Sequence, residues 1–201
     1  TKLLRYRNQD NEIRLLELAC GKAQDLFKWC ENNINLVVGI DYKLDNIENE
    51  INGANIRYMQ NKDDFIKNKV GICPSVHFIV GDISKNIKSM DAFKLDTRGE
   101  YRKLAQRLWS DKKDNLNVKQ FNLISIQFAI HYLFGTKDKL DDLINNIDDN
   151  LTLGGVLIGT CFNGETLWNE MKKLATGESI YQNIEDKHGN VADSQVLWRI
   201  I

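Results

Sequence analysis

The chain has 201 residues, 42% of them hydrophobic and 27% charged, which is enough apolar material for a packed domain and excludes a disordered tail. Its 27 Lys and Arg offset 28 Asp and Glu to a formal charge of −1, which argues against a broad basic face for coating duplex nucleic acid. A pocket for a single nucleotide is not, and no run of about 18 apolar residues offers a membrane span.

In chain order, Arg14–Ala19 reads as a first strand and Lys22–Cys30 as the helix after it. Leu36–Asp41 is a second strand, followed by a helical stretch over 44–51. Val76–Gly81 is a third strand, and an insertion over about 84–118 carries Tyr101, Leu104, Ala105 and Leu108 on one helical face. Phe121–Ile126 is a fourth strand, after which Leu140, Leu143, Ile144, Ile147 and Leu151 fall on one core-facing stripe. Gly155–Cys161 and Gln195–Ile201 complete a set of six, while Asp111–Asn117 and Asn183–Asn190 are polar and read as surface loops. Unbroken apolar strands alternating with helices predict a doubly wound, mostly parallel α/β sheet in one domain over 1–201. Cys20, Cys30, Cys73 and Cys161 make no C-x-x-C pair, so neither zinc nor a disulfide framework is expected, and a reduced intracellular setting is the default. Thr1 is not an initiator methionine, and the chain reads as a piece truncated at both ends.

The chemistry gathers at strand ends, where open α/β sheets bind ligands. Strand one ends in Glu17-Leu-Ala-Cys-Gly-Lys-Ala23, with one glycine where a dinucleotide fold wants G-x-G-x-x-G, so NAD is disfavoured. Asp41 ends the second strand, at the place of a ribose-gripping carboxylate, and Asp82 follows the third, where it can accept from an adenine amino group. Glu17, Asp41 and Asp82 at three successive strand ends resemble the acid pattern of S-adenosylmethionine (SAM) methyltransferases.

A more specific resemblance lies in Phe121-Asn-Leu-Ile-Ser-Ile-Gln-Phe-Ala-Ile-His-Tyr-Leu-Phe134, which resembles the fourth-strand motif of mRNA cap (guanine-N7) methyltransferases with its Gln-Phe-x-x-His-Tyr core. Gly21-Lys-Ala-Gln-Asp-Leu-Phe-Lys-Trp29, Arg57-Tyr58 and Leu153-Gly-Gly-Val-Leu-Ile-Gly-Thr160 are similar to other segments of that family, in the same order. The resemblance implies a Rossmann-like SAM-dependent methyltransferase fold and methylation of guanine N7 in the 5′ cap, GpppN to m7GpppN. It implies that Gly21 and Lys2 hold the methionine carboxylate end of SAM and that Asp25 shapes the methionine pocket. Asp41 would take the ribose and Asp82 the adenine, with Gln127 and Tyr132 lining the cofactor cleft. His131 and Tyr132 would form the guanine side of the cap pocket, Gln24 the turn where cap and cofactor meet, and Arg57 would face the cap phosphates. Ala23 and Gln24 stand where the family has two glycines, Cys30 where many members carry a basic residue, and the family's later cap-pocket Glu and C-terminal Tyr have no place before Ile201.

The implied partners are capped RNA and the triphosphatase and guanylyltransferase parts of a capping polypeptide, with neither membrane nor DNA. The setting would be a host cytoplasm for a viral member, to which the insertion and the Asn/Ile/Lys bias point, or the nucleus for a cellular one. Guanine N7 carries an in-plane lone pair and no proton, so no general base and no metal are expected; orientation supplies the acceleration. A SAM methyltransferase on another substrate and a non-catalytic methyltransferase-like binding module are the alternatives. His77, His188, Trp29, Trp109, Trp168 and Trp198 read as structural.

Overall fold

A computed structural model describes residues 12–68, 71, 73–109 and 120–174, together with the backbone of 180–185 and 191–200. Strands β1 (Arg14–Leu18), β2 (Leu36–Asp41), β3 (Ser75–Val80), β4 (Phe121–Gln127) and β5 (Leu151–Thr160) form one sheet in the order β3-β2-β1-β4-β5, every neighbour parallel. The chain lays down β1, β2 and β3 outward in one direction and then crosses back to place β4 beside β1. That reversal opens a crevice at the carboxyl ends of β1 and β4, the ligand position of doubly wound Rossmann-like sheets. Leu16, Leu18, Val38, Ile40, Ile79, Ile124 and Ile126 are fully buried, which is why these strands read as apolar runs rather than as alternations.

The helices are α1 (Leu26–Glu31), α2 (Leu44–Glu48), α3 (Ala54–Asn68), α4 (Glu100–Leu108), α5 (Lys137–Asn150) and α6 (Gly164–Met171). Helix α1 begins four residues later than Lys22, because Ala23 takes φ +54° in the turn ahead of it. Helix α3 is not marked by the apolar pattern of the sequence: of its 15 residues only Ala54 and Phe65 are buried, so it has no apolar stripe to read. The expected face of α4 is the observed one, with Tyr101, Ala105 and Leu108 buried.

On α5 the expected stripe is corrected. Ile144 is exposed, Leu151 opens β5, and the buried positions are Leu143, Asn146 and Asn150. The two asparagines are buried because they are saturated. Asn146 accepts from the Ile87 N–H at 2.8 Å and donates to the carbonyls of Ile83 and Lys85, while Asn150 accepts from the Trp109 indole at 2.6 Å. The Asn146 bonds tie α5 to the loop that carries Asp82, and the Asn150 bond ties it to the end of α4.

The described chain divides into two compact units, the first reaching to Cys161 and the second beginning at Phe162. The second contains α6 and an antiparallel pair, β6 (Ile180–Glu185) with β7 (Val191–Ile200). The last strand therefore starts at Val191 rather than Gln195, and its partner includes Asn183–Glu185, which the sequence marks as loop. β6, Ile180–Glu185, mixes apolar and polar residues and so carries no continuous apolar run to find. The expected loop at 111–117 and His188 lie outside the described residues, as does Lys2.

Candidate functional site

The turn after β1 is built around a carboxylate. Gly21 adopts φ +54°, and a Cβ there would meet nothing within 4 Å, so its glycine leaves backbone freedom and open space at once. The Asp41 carboxylate, buried at the end of β2, reaches across to the turn: its Oδ2 accepts from the Gly21 N–H at 2.8 Å. Its Oδ1 accepts from the Lys43 N–H at 2.9 Å and from Asn46 Nδ2 at 2.8 Å. Gly39 lets the turn lie close over β2, since a Cβ on it would sit 2.9 Å from the Cys20 Sγ and from the Phe78 ring. The expected ribose ligand is thus also the clamp of the glycine turn, with one acceptor position on Oδ2 that no described residue takes.

Asp82 follows β3, and its Oδ1 accepts from the N–H and hydroxyl of Ser84 at 2.9 and 2.7 Å. Asp41, Asp82 and Tyr132 line one cavity of about 560 Å³. Gly21, Gln24, Asp25 and Gln127 line a second of about 400 Å³, and Ala19 is a wall of both. Gln24 is also a wall of a third, about 290 Å³, which contains Arg57. Eight of the nine expected residues that fall within the described chain therefore border three cavities in series.

His131 is the ninth. It lines none of the three, but its ring packs on Tyr132 with centroids 4.2 Å apart and planes at 46°. Both belong to a 3-10 turn, Ile130–Leu133, just past the end of β4. Ahead of that turn Phe128 takes φ +52°, a genuine outlier for a bulky residue, and keeps its ring exposed at the rim of the second cavity.

Glu17 is the residue whose role exceeds its sequence signal. It points into the second cavity yet is 3% exposed, and burial is the main reason its carboxyl is pushed up to about 7; a hydrogen bond from the Ser125 hydroxyl at 3.0 Å pulls partly the other way. Asp25, beside it, is paired with Lys28 at 2.5 Å. Ser125 and Thr160, which share a chain of hydrogen bonds with Gln127, are not singled out by the sequence. Their signal was positional: Ser125 lies two residues before Gln127 on β4, hence on the same face. Arg57 lines the third cavity with Gln24, and its buried Nε has no hydrogen-bond partner among the described residues.

A parallel sheet with its switch point between β1 and β4, acids at successive strand ends and cavities along them is the build of a nucleotide-cofactor α/β protein. Residues 2–192 match the model of the mRNA (guanine-N(7))-methyltransferase domain, and the chain belongs to that family. It is 29% identical to the mRNA cap guanine-N(7) methyltransferase of Schizosaccharomyces pombe, over 87% of this chain and 39% of that protein. Its identity to the enzyme of the same name from Caenorhabditis elegans is 30%, over 89% of this chain and 41% of that one. A probable mRNA-capping enzyme of Acanthamoeba polyphaga mimivirus is 25% identical over 88% of this chain and 14% of its own length. The chain thus spans about two fifths of its cellular relatives. Among solved structures, a SAM-dependent methyltransferase from Clostridium acetobutylicum matches at 16% identity and a TM-score of 0.48, over 92% of this chain and 54% of that one.

Proposed function

We propose that this chain carries the methyltransferase activity of an mRNA cap guanine-N7 methyltransferase, moving a methyl group from SAM to N7 of the guanine in GpppN. The observation that supports it most is the series of cavities that begins at Asp41 and Asp82, passes Gly21 and Gln127, and adjoins the His131–Tyr132 turn on one side and Arg57 on the other. The residues fit the cofactor. A buried carboxyl at Glu17, raised by desolvation, suits a cationic methionine end, and the open space at Gly21 lets that end approach the backbone. Asp41 has one Oδ2 acceptor position for a ribose hydroxyl, and Asp82 keeps a second oxygen for the adenine amine. Lys2, outside the described residues, belongs to the same reading at the methionine carboxylate.

When bound, SAM supplies an electrophilic methyl on a sulfonium. The chain's own work is orientation. The Tyr132 ring, held against His131, and the exposed Phe128 ring offer flat apolar surface on which a base can lie. Gln24 stands at the junction of the cofactor and Arg57 cavities, and Arg57 brings a guanidinium charge to the third cavity for a phosphate. N7 has no proton to lose, so none of these side chains needs to take one. The substrate would be the capped end of an RNA, and the other capping activities would reside elsewhere in the same polypeptide or in a partner.

Incubation of the full-length polypeptide with SAM and GpppA, followed by mass-spectrometric mapping of the product, tests this reading. It requires m7GpppA. Methyl on a ribose hydroxyl, or SAM binding with no transfer to any cap, would refute it.

A further inference from the structure

A line of polar side chains crosses β1, β4 and β5 near their carboxyl ends. Register places Glu17 opposite Ser125 across β1 and β4, and Gln127 opposite Thr160 across β4 and β5. The hydrogen bonds then run in one direction. The Phe128 N–H donates to Thr160 Oγ1 at 3.2 Å as well as to its carbonyl at 3.0 Å. Thr160 Oγ1 donates to Gln127 Oε1 at 2.9 Å, Gln127 Nε2 donates to Ser125 Oγ at 2.9 Å, and Ser125 Oγ donates to Glu17 Oε1 at 3.0 Å.

The direction follows from the first member. An ionised carboxylate only accepts, so the Ser125 proton must point at Glu17. Ser125 must then receive its other bond from the amide nitrogen of Gln127, which turns the amide oxygen toward Thr160. Protonating Glu17 removes that constraint, because a carboxylic acid can donate. An Asn or Gln amide on its own has no preferred way round; here the chain of partners gives it one.

We propose that Glu17, Ser125, Gln127 and Thr160 act as one directional relay in which Ser125 and Thr160 are positioning residues. They fix the face that the Gln127 amide turns to the cofactor cleft, and they couple it to the Phe128 backbone on the acceptor side. The proposal rests on the reading of Gln127 as a wall of that cleft. Its polarity is set near neutral pH, since burial pushes the Glu17 carboxyl up to about 7, the Ser125 hydrogen bond lowers it, Asp25 raises it and Lys28 lowers it; the nearby Cys20 thiol is itself raised in part by Glu17. Once bound, a cationic ligand favours the carboxylate and so locks the same direction.

The test uses the full chain and three variants: Thr160→Val, which keeps the shape and removes the hydroxyl, Thr160→Ser, which restores it, and Ser125→Ala. Titration of the Glu17 carboxyl by carbon-13 NMR needs no cofactor. It should show a midpoint near 7 in the parent, a higher one in Ser125→Ala, and a smaller upward move in Thr160→Val that Thr160→Ser reverses. Calorimetry with SAM at pH 8 should show about fivefold weaker binding for Thr160→Val, the loss of one hydrogen bond, and recovery to within about twofold for Thr160→Ser. An unmoved Glu17 midpoint in both Ser125→Ala and Thr160→Val, or a Thr160→Ser variant as impaired as Thr160→Val, would overturn the relay. A parent chain that fails to bind SAM would instead sink the reading of the cleft, while the NMR titration would still decide the relay.

Discussion

The two sides of the cleft are built on opposite plans. On the side proposed for the cofactor, Asp41 is buried and receives three donors from the chain itself, and Glu17 is buried and accepts from Ser125. On the side proposed for the acceptor, Phe128, Tyr132 and Phe134 are more than half exposed and present flat rings to solvent. The first plan fixes geometry before any ligand arrives, at a cost in buried charge; the second leaves surface to be covered by the ligand. A methyl donor that must be aligned to within a fraction of an ångström suits the first plan. An aromatic base suits the second, because every base has a π-face.

Replacing the most heavily bonded group should separate the two plans most sharply. Asp41→Ala strands the Gly21 and Lys43 N–H groups and should lower stability by about 2–4 kcal/mol in urea titrations, and weaken SAM by about 1–3 kcal/mol in calorimetry. Unchanged values of both would mean that the cofactor side is not preorganised by Asp41.

Glu17→Gln comes next, and its effect depends on pH. The folded carboxyl is raised from 4.5 to about 7, so between those values the folded state binds more protons than the unfolded one, and stability falls as pH rises through that window. By pH 8 the buried charge has cost as much as about 3 kcal/mol. The variant should therefore be as stable as the parent at pH 4.5 and more stable at pH 8 by thermal melts, while binding SAM less well. A parent melt that is flat between pH 4.5 and 8 would contradict the burial of an ionisable Glu17.

On the acceptor side the effects move from binding to turnover. His131→Ala should lower kcat/KM for GpppA tenfold or more, about 1.4 kcal/mol, and leave SAM affinity within about threefold. Equal losses in both would make His131 a part of the cofactor side. Smallest of all, Tyr132→Phe should change stability by less than about 0.5 kcal/mol in urea titrations, because the residue is 70% exposed. A larger loss would show that the acceptor turn is as tightly built as the glycine turn.

The same contrast explains what could be read from the amino acids. Strands β1 to β4 were legible because burial on both faces makes them continuous apolar runs, and β2 has the expected bounds. The ends of those strands carry Gly21, Asp41 and Asp82, so the side proposed for the cofactor follows from position alone. Helix α3 was hidden by its polar surface, the buried face of α5 by two asparagines that are apolar in effect but not in kind, and β6 by having no apolar run. At the site, the clamp that Asp41 places on Gly21 and the link from Glu17 to Thr160 depend on which strands are neighbours. Sequence order does not state that β1 lies against β4. Local patterns name the residues; only the crossover brings Glu17 to Ser125.

The position of the bound cofactor is the most direct test of the proposed function. A crystal structure of the full-length polypeptide with S-adenosylhomocysteine should show the adenosine between Asp82 and Asp41, with a ribose hydroxyl on the Asp41 Oδ2. The amino-acid end should pass Ala19 to lie beside Gly21 and Gln127. Homocysteine on the far side of Arg57, or an adenosine that touches neither Asp41 nor Asp82, would contradict it.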